Sequence, residues 1–143
     1  MKHSSDPTTG KALRHVTSVI LVLVGLVNIA PVAGVLSASM LSDAYGIASP
    51  DGDLLILMRH RALLFGIVGG LLLVSAFRRH LQSAAILSGM ISMSGFIALT
   101  LIAGEHGEKI HRIMLIDMAA TIALAIAVAL HYRDGHAAPA SRR

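Results

Sequence analysis

The sequence has no cysteine, and few of its 143 residues are charged (14%) or aromatic (3%). Without cysteine there can be no disulfide, thiolate nucleophile, iron–sulfur cluster or cysteine-ligated zinc site, and cysteine usage says nothing about the redox compartment. The twelve Lys and Arg residues lie near the ends of apolar runs, not in a basic patch interleaved with aromatic residues. This distribution argues against nucleic acid as a partner.

Common catalytic motifs are also missing. The chain has no Walker loop, no Gly-x-Ser-x-Gly elbow, no His-Glu-x-x-His and no dinucleotide fingerprint on a strand–helix unit. The sequence therefore argues against an enzyme, without excluding one.

Long apolar runs take up most of the chain. Residues 16–36 carry no charge, and as a helix this run is long enough to cross the roughly 30 Å hydrocarbon core of a bilayer. Three further runs follow at 54–77, 81–103 and 110–130. With 55% hydrophobic residues and a mean hydropathy of +0.72, the chain has more apolar surface than a soluble domain of this size could bury. We predict an all-α, antiparallel four-span transmembrane helix bundle over residues 16–130.

The distribution of Lys and Arg predicts the orientation of the bundle. Basic residues lie in the tails 1–15 and 131–143 and in the second connection, at Arg78 and Arg79, whereas the first connection, 37–53, has three aspartates and no base. By the positive-inside rule we predict that both termini of this multi-pass protein are cytoplasmic. The first run is too long for a signal peptide, so we expect it to be retained, and we expect the tail 131–143 to be disordered.

Small residues recur every three or four positions in the second and third runs. Such stripes allow close backbone approach between helices in lipid, so we predict that the two stripes face each other. The stripe residues are Ala62, Gly66 and Gly70 in the second run and Ala84, Ser88, Ser92 and Gly95 in the third.

Polar residues inside the apolar runs are the candidate functional feature, because a charge in hydrocarbon costs about 2.5–3.5 kcal/mol and needs a partner. Asn28, Asp117 and the segment Arg59–Arg61 lie at a similar depth below the outer ends of three runs. We predict an Arg–Asp clamp between the second and fourth helices, made by only one of the two arginines because they point about 200° apart. The predicted polar cluster comprises Asn28, Arg59, His60, Arg61, Ser94, Arg112 and Asp117.

Two interpretations of this cluster stay open. It is either a buried ion pair that sets the helix register, or a pocket near the outer leaflet for a lipid, quinone or similar amphiphile. Pro31 and Gly34 loosen the end of the first helix and are compatible with both interpretations.

Eight histidines raise the question of a metal or haem. His60, His106 and His111 are the best metal candidates, but their spacing matches no recognised zinc motif, and we predict no metal site. A bis-histidine haem needs two imidazoles facing each other inside the bundle. His106 lies in a connection and His111 near the start of a helix, so neither is placed inside the bundle and the sequence disfavours haem.

Three segments carry a resemblance to a known family: the stretch Asn28-Ile29-Ala30-Pro31, the stretch from Leu57 to Gly66, which contains Arg59-His60-Arg61, and Arg112 with Asp117. In these segments the chain resembles small bacterial four-helix membrane proteins of the DoxX-like type. The likeness covers about residues 16–130. It implies a four-span bundle in the cytoplasmic membrane, in a group whose better-known branches are linked to quinone-dependent oxidation or redox homeostasis.

Some similar chains are labelled phosphopantetheine adenylyltransferase. That soluble enzyme resembles nucleotidyltransferases with a His-x-Gly-His motif on an α/β fold, and this chain has neither the motif nor alternating strands and helices. The sequence therefore does not support adenylyltransferase activity.

The leading hypothesis is a membrane protein that binds a lipid, quinone or similar amphiphile in the polar layer, or that serves as a small subunit of a membrane oxidoreductase. The alternatives are a haem-bearing electron-transfer bundle and a structural partner subunit without a ligand. Assembly as a homo-oligomer also stays open, and a transporter or channel would require it, because four helices alone offer little room for a transport pathway.

Overall fold

The computed structural model describes residues 7–136, and over this range the chain forms helices joined by short connections. The helices are α1 (Pro7–Ile29), α2 (Ala38–Tyr45), α3 (Gly52–Phe77), α4 (Gln82–Ala103) and α5 (Glu108–His136). Four segments are long and apolar enough to cross a membrane: Gly10–Val35, Gly52–Phe77, Arg79–Ala103 and Glu108–Arg133. The predicted all-α fold with four apolar spans is confirmed, and the chain is a multi-pass membrane protein.

The four long helices form a ring in which α1 and α4 each pack against both α3 and α5. Leu13 near the start of α1, Gln82 at the start of α4 and His131 near the end of α5 line one small cavity. The end of α1, the helix α2 and the first turns of α5 meet at the opposite end of the bundle. Neighbouring helices are therefore antiparallel, and α1 begins at the end of the bundle where α5 finishes.

Each long helix contributes a fully buried side chain to a single core, with Leu21, Leu72, Met93 and Leu124 at its centre. The outer surface is also apolar, because many large hydrophobic side chains on all four helices are exposed. Such a surface exceeds the apolar patches of soluble monomers, and a lipid bilayer covers it.

The closest helix contact is between α1 and α3, not between α3 and α4. A Cβ atom added to Gly69 would lie 2.7 Å from the carbonyl oxygen of Gly25, so this pair of glycines lets the two backbones approach. Gly66 faces the turn that follows α1, while a Cβ at Gly70 or Gly95 would meet nothing within 4 Å. The prediction that the small-residue stripes of α3 and α4 face each other is therefore wrong, because α3 turns its tightest glycine contacts toward α1.

The helices differ from the apolar runs at their ends. α1 begins at Pro7 and tightens after Ile29 into a 3-10 turn, Ala30–Val35, whose first turn contains Pro31. Proline lacks the N–H that would continue an α-helical ladder, which explains the change. The first connection contains α2, which the sequence did not predict, and α5 continues into the predicted C-terminal tail as far as His136. The rest of that tail, residues 137–143, lies outside the described residues.

Candidate functional site

A cavity of about 660 Å³ lies at the end of the bundle that holds α2, with walls from α1, α2, α3 and α5. Most of its lining is apolar. Its polar side chains are those of Asn28, Asp43, Tyr45, Arg61 and Asp117. A concave, mostly apolar space of this size with a few convergent polar groups is typical of a small-molecule site.

The helix α2 forms one wall of the cavity and is held by two contacts in its middle. Leu41 is buried against Gly34 so closely that a Cβ atom at Gly34 would overlap the leucine side chain. At the C-terminal end of α2, Gly46 has a left-handed φ of 67° and terminates the helix. The Nζ atom of Lys109, at the start of α5, donates a hydrogen bond to the carbonyl oxygen of Asp43. The cavity wall is therefore held both by the 3-10 turn that follows α1 and by α5.

Arg61 lies among three aromatic rings. Its guanidinium carbon is 4.8 Å from the ring centre of Phe96, 5.1 Å from that of Phe65 and 5.4 Å from that of Tyr45. These rings come from α4, α3 and α2, so the cation joins three helices through cation–π contacts. We call these three residues the aromatic cage. The cage holds the guanidinium without consuming its N–H donors.

Asp117 lines the same cavity from α5 and is half-buried. Arg61 is the cation that interacts electrostatically with this carboxylate. Within residues 7–136, however, the carboxylate of Asp117 has no hydrogen bond and forms no direct ion pair with Arg61. The two groups therefore face one cavity with a gap between them. Of the two arginines, Arg61 and not Arg59 shares the cavity with Asp117. The predicted clamp is wrong in that the two side chains form no ion pair among the described residues, and we call them the open pair.

Asn28 completes the polar set from α1. It is only 5% exposed, and its Nδ2 atom donates a hydrogen bond of 3.1 Å to the carbonyl oxygen of Val24. This bond uses one of the two amide N–H groups and orients the side chain. Asn28, Arg61 and Asp117 are thus the predicted residues that the structure brings together.

Arg59 and His60 do not line the cavity. The Nε atom of Arg59 is buried and has no hydrogen-bond partner among the described residues, and His60 is exposed on the outer surface of α3. Their positions follow from helix geometry, because neighbouring residues point about 100° apart and only Arg61 lies on the cavity face.

Ser94 and Arg112 also lie outside the cavity, contrary to the predicted cluster. Ser94 is exposed, and its hydroxyl donates a hydrogen bond of 2.6 Å to the carbonyl oxygen of Met90 one turn earlier. Arg112 is exposed and forms an ion pair of 3.0 Å with Glu108 on its own helix. The aromatic Phe96, and not Ser94, is the residue through which α4 contacts the site.

Two of the three metal candidates, His106 and His111, lie together at the N-terminal end of α5. His106 Nε2 is 3.3 Å from His111 Nδ1, and the two rings stack with their centres 5.6 Å apart. His60 is not part of this pair. In the part of the chain that the structure describes, no three histidine or acidic side chains are grouped so that they could hold a metal ion. The haem hypothesis gains no support either, because His106 and His111 are both exposed.

The sequence interpretation missed the aromatic cage and the helix α2. One signal was available, since Phe65 follows Arg61 by four residues and such residues lie on one helix face. Tyr45 and Phe96 are distant in sequence from Arg61, and nothing in their local pattern indicates the contact. The cage therefore depends on tertiary packing.

Comparison with known proteins identifies no relative of this chain. No family model matches it, and no curated protein or solved structure does so. The resemblance to DoxX-like proteins therefore stays a prediction from the sequence.

Proposed function

We propose that this membrane protein binds an amphiphile, a lipid or a quinone-like molecule, with the head group in the cavity beside α2 and the apolar tail toward the bilayer. The observation that carries the proposal is the open pair of Arg61 and Asp117, two oppositely charged groups that line one large apolar cavity without contacting each other.

The apolar walls support entry from the bilayer. Val27 of α1 and Ile116 of α5 line the cavity and are 40% and 44% exposed, so side chains do not fill the space between these two residues. In the proposed function, the cavity opens to the bilayer through this gap between α1 and α5. A ligand with an apolar tail can leave that tail in this gap while its head group stays inside.

The polar groups support the binding of a head group. A half-buried carboxylate without a hydrogen-bond partner is costly in a poorly hydrated place, and so is a guanidinium whose donors are unused. Any ligand that offers an acceptor to Arg61 and a donor to Asp117 offsets that cost. Asn28 adds an amide to the same wall.

The competing interpretation is a buried ion pair that only sets the helix register. A register-setting pair gains its energy from direct contact, which Arg61 and Asp117 do not make within the described chain. The open geometry therefore favours the binding function. The distribution of Lys and Arg supports cytoplasmic termini, which would put the cavity under the outer leaflet. The resemblance to DoxX-like proteins supports the bacterial cytoplasmic (inner) membrane as the location.

Native mass spectrometry of the protein, released from its membrane in mild detergent, tests the proposal. We expect the wild-type protein to carry an adduct with the mass of a lipid or a quinone. Asp117→Asn and Arg61→Gln should each reduce the adduct at least about tenfold, which corresponds to about 1.4 kcal/mol of binding free energy. Asp53→Asn is a matched control, since Asp53 is exposed in the first turn of α3 and outside the cavity.

Thermal unfolding and gel filtration of each variant show whether it is folded. A folded wild-type protein without any adduct would overturn the proposal, and so would equal retention by both cavity variants and the control. Copurification with a larger oxidoreductase, with no bound amphiphile, would overturn the proposal in favour of a small subunit of that enzyme.

A further inference from the structure

We infer that the cavity selects a zwitterionic aminophospholipid, an amphiphile whose head group carries a phosphate and a primary ammonium. This inference rests on the proposed function and names its ligand class. The observation that carries it is the presence of one cation and one anion in the same cavity, Arg61 on α3 and Asp117 on α5, whose side chains make no hydrogen bond or ion pair among residues 7–136.

The balance of charge excludes simpler ligands. A purely anionic head group would be attracted by Arg61 but repelled by Asp117. A purely cationic head group would be attracted by Asp117 but repelled by Arg61. A zwitterion supplies a counter-charge to both side chains. Asp43 also lines the cavity, but it is exposed and its charge is accompanied by that of Lys109, whose Nζ atom donates a hydrogen bond to the carbonyl oxygen of Asp43. These two residues therefore add no strong preference for a ligand of one sign.

The donors of Arg61 suit a phosphate. The aromatic cage contacts the guanidinium through cation–π interactions, and within residues 7–136 the side chain makes no hydrogen bond. Its N–H groups are therefore open to a phosphate, which guanidinium binds in bidentate geometry. Three ring centres within 5.4 Å restrict the cation, so little conformational freedom is lost when the ligand binds.

The acceptors of Asp117 suit a primary ammonium. An ionised carboxylate only accepts hydrogen bonds, and a primary ammonium donates three. A quaternary choline ammonium carries the same charge without any N–H, and a glycerol head group has no cation. A quinone head group has no charge at all. The expected order of affinity is therefore phosphatidylethanolamine, then phosphatidylcholine, then phosphatidylglycerol and quinone.

Lipid titration of the delipidated full-length protein tests this order. The probes are dioleoyl phosphatidylethanolamine, phosphatidylcholine and phosphatidylglycerol with identical acyl chains, together with decylubiquinone, each followed by native mass spectrometry. We expect the wild-type protein to prefer phosphatidylethanolamine over phosphatidylglycerol at least about tenfold. Asp117→Asn should lower the affinity for phosphatidylethanolamine and raise that for phosphatidylglycerol. Arg112→Gln, an exposed arginine outside the cavity, should leave the preference unchanged.

A second measurement needs no variant and stays decisive if Asp117→Asn does not fold. Mono-, di- and trimethylation of the ethanolamine nitrogen removes its N–H donors one at a time at constant charge. The affinity of the wild-type protein should fall stepwise along this series.

The outcomes separate the two proposals. Tighter binding of phosphatidylglycerol or decylubiquinone that is lost in Arg61→Gln would overturn the zwitterion inference and leave the proposed function standing. An unchanged preference in folded Asp117→Asn, or a flat methylation series, would also overturn the inference. If no lipid and no quinone binds, both the inference and the proposed function fail.

Discussion

The guanidinium carbon of Arg61 in α3 lies 4.8 Å from the ring centre of Phe96 in α4. Together with Phe65 and Tyr45, this ring holds a cation in the wall of the cavity that Asp117 also lines. Cation–π contacts are worth about 0.5–2 kcal/mol each, more where water is excluded. The cage therefore both links three helices and positions the charge that is proposed to bind the ligand.

Replacing Phe96 by Leu should loosen Arg61 and lower the free energy of unfolding by about 1–2 kcal/mol, because one ring contact is lost. Phe77→Leu is the matched control, since Phe77 is 81% exposed at the end of α3 and has no part in the cage. Thermal unfolding in detergent compares the two variants. Equal midpoints would show that the cage adds nothing to stability.

The contact between Gly25 and Gly69 predicts a large difference between two neighbouring glycines. Gly69→Ala places a methyl group 2.7 Å from a backbone oxygen of α1 and should cost about 1–3 kcal/mol through overpacking. Gly70→Ala meets nothing within 4 Å and should be neutral or stabilising by up to about 1 kcal/mol, because alanine favours the helix. The unfolding midpoints of the two variants measure the difference. A destabilised Gly70→Ala beside an unchanged Gly69→Ala would contradict this packing of α1 on α3.

The helix α2 should become more mobile when its tether is removed. Lys109→Met deletes the hydrogen bond from Nζ to the carbonyl oxygen of Asp43, so amide hydrogen exchange over residues 38–45 should accelerate several-fold. Arg112→Met removes a positive charge one turn further along α5 and should leave α2 unchanged. Identical exchange in both variants would mean that α2 is held by its apolar contacts alone.

The absence of cysteine allows the predicted orientation to be tested directly. Ala48→Cys, in the connection between α2 and α3, should react with a membrane-impermeant maleimide on intact cells. His80→Cys, in the turn between α3 and α4, should react only after permeabilisation. Both positions are exposed, so accessibility within the protein does not separate them. The reverse labelling pattern would place the cavity under the inner leaflet.

The candidate site could be predicted in part from the sequence. Asn28, Arg61 and Asp117 stood out because polar groups at one depth in separate apolar helices are costly unless they meet. The same reasoning also included Ser94 and Arg112, which lie on exposed faces. Depth along a helix follows directly from sequence position, but the direction of a side chain depends on the rotation of the helix about its axis.

By itself, the sequence determined that the chain forms four apolar helices that cross a membrane. The reason is local, because spanning the hydrocarbon takes about 20 apolar residues and a helix satisfies its own backbone hydrogen bonds. Only the tertiary structure decided which arginine faces Asp117, that α1 packs most closely on α3, and that α2 closes one wall of the cavity. These features depend on contacts between residues far apart in the chain. The sequence pattern does not fix them, because many rotations of the helices about their axes would place apolar side chains toward the lipid equally well.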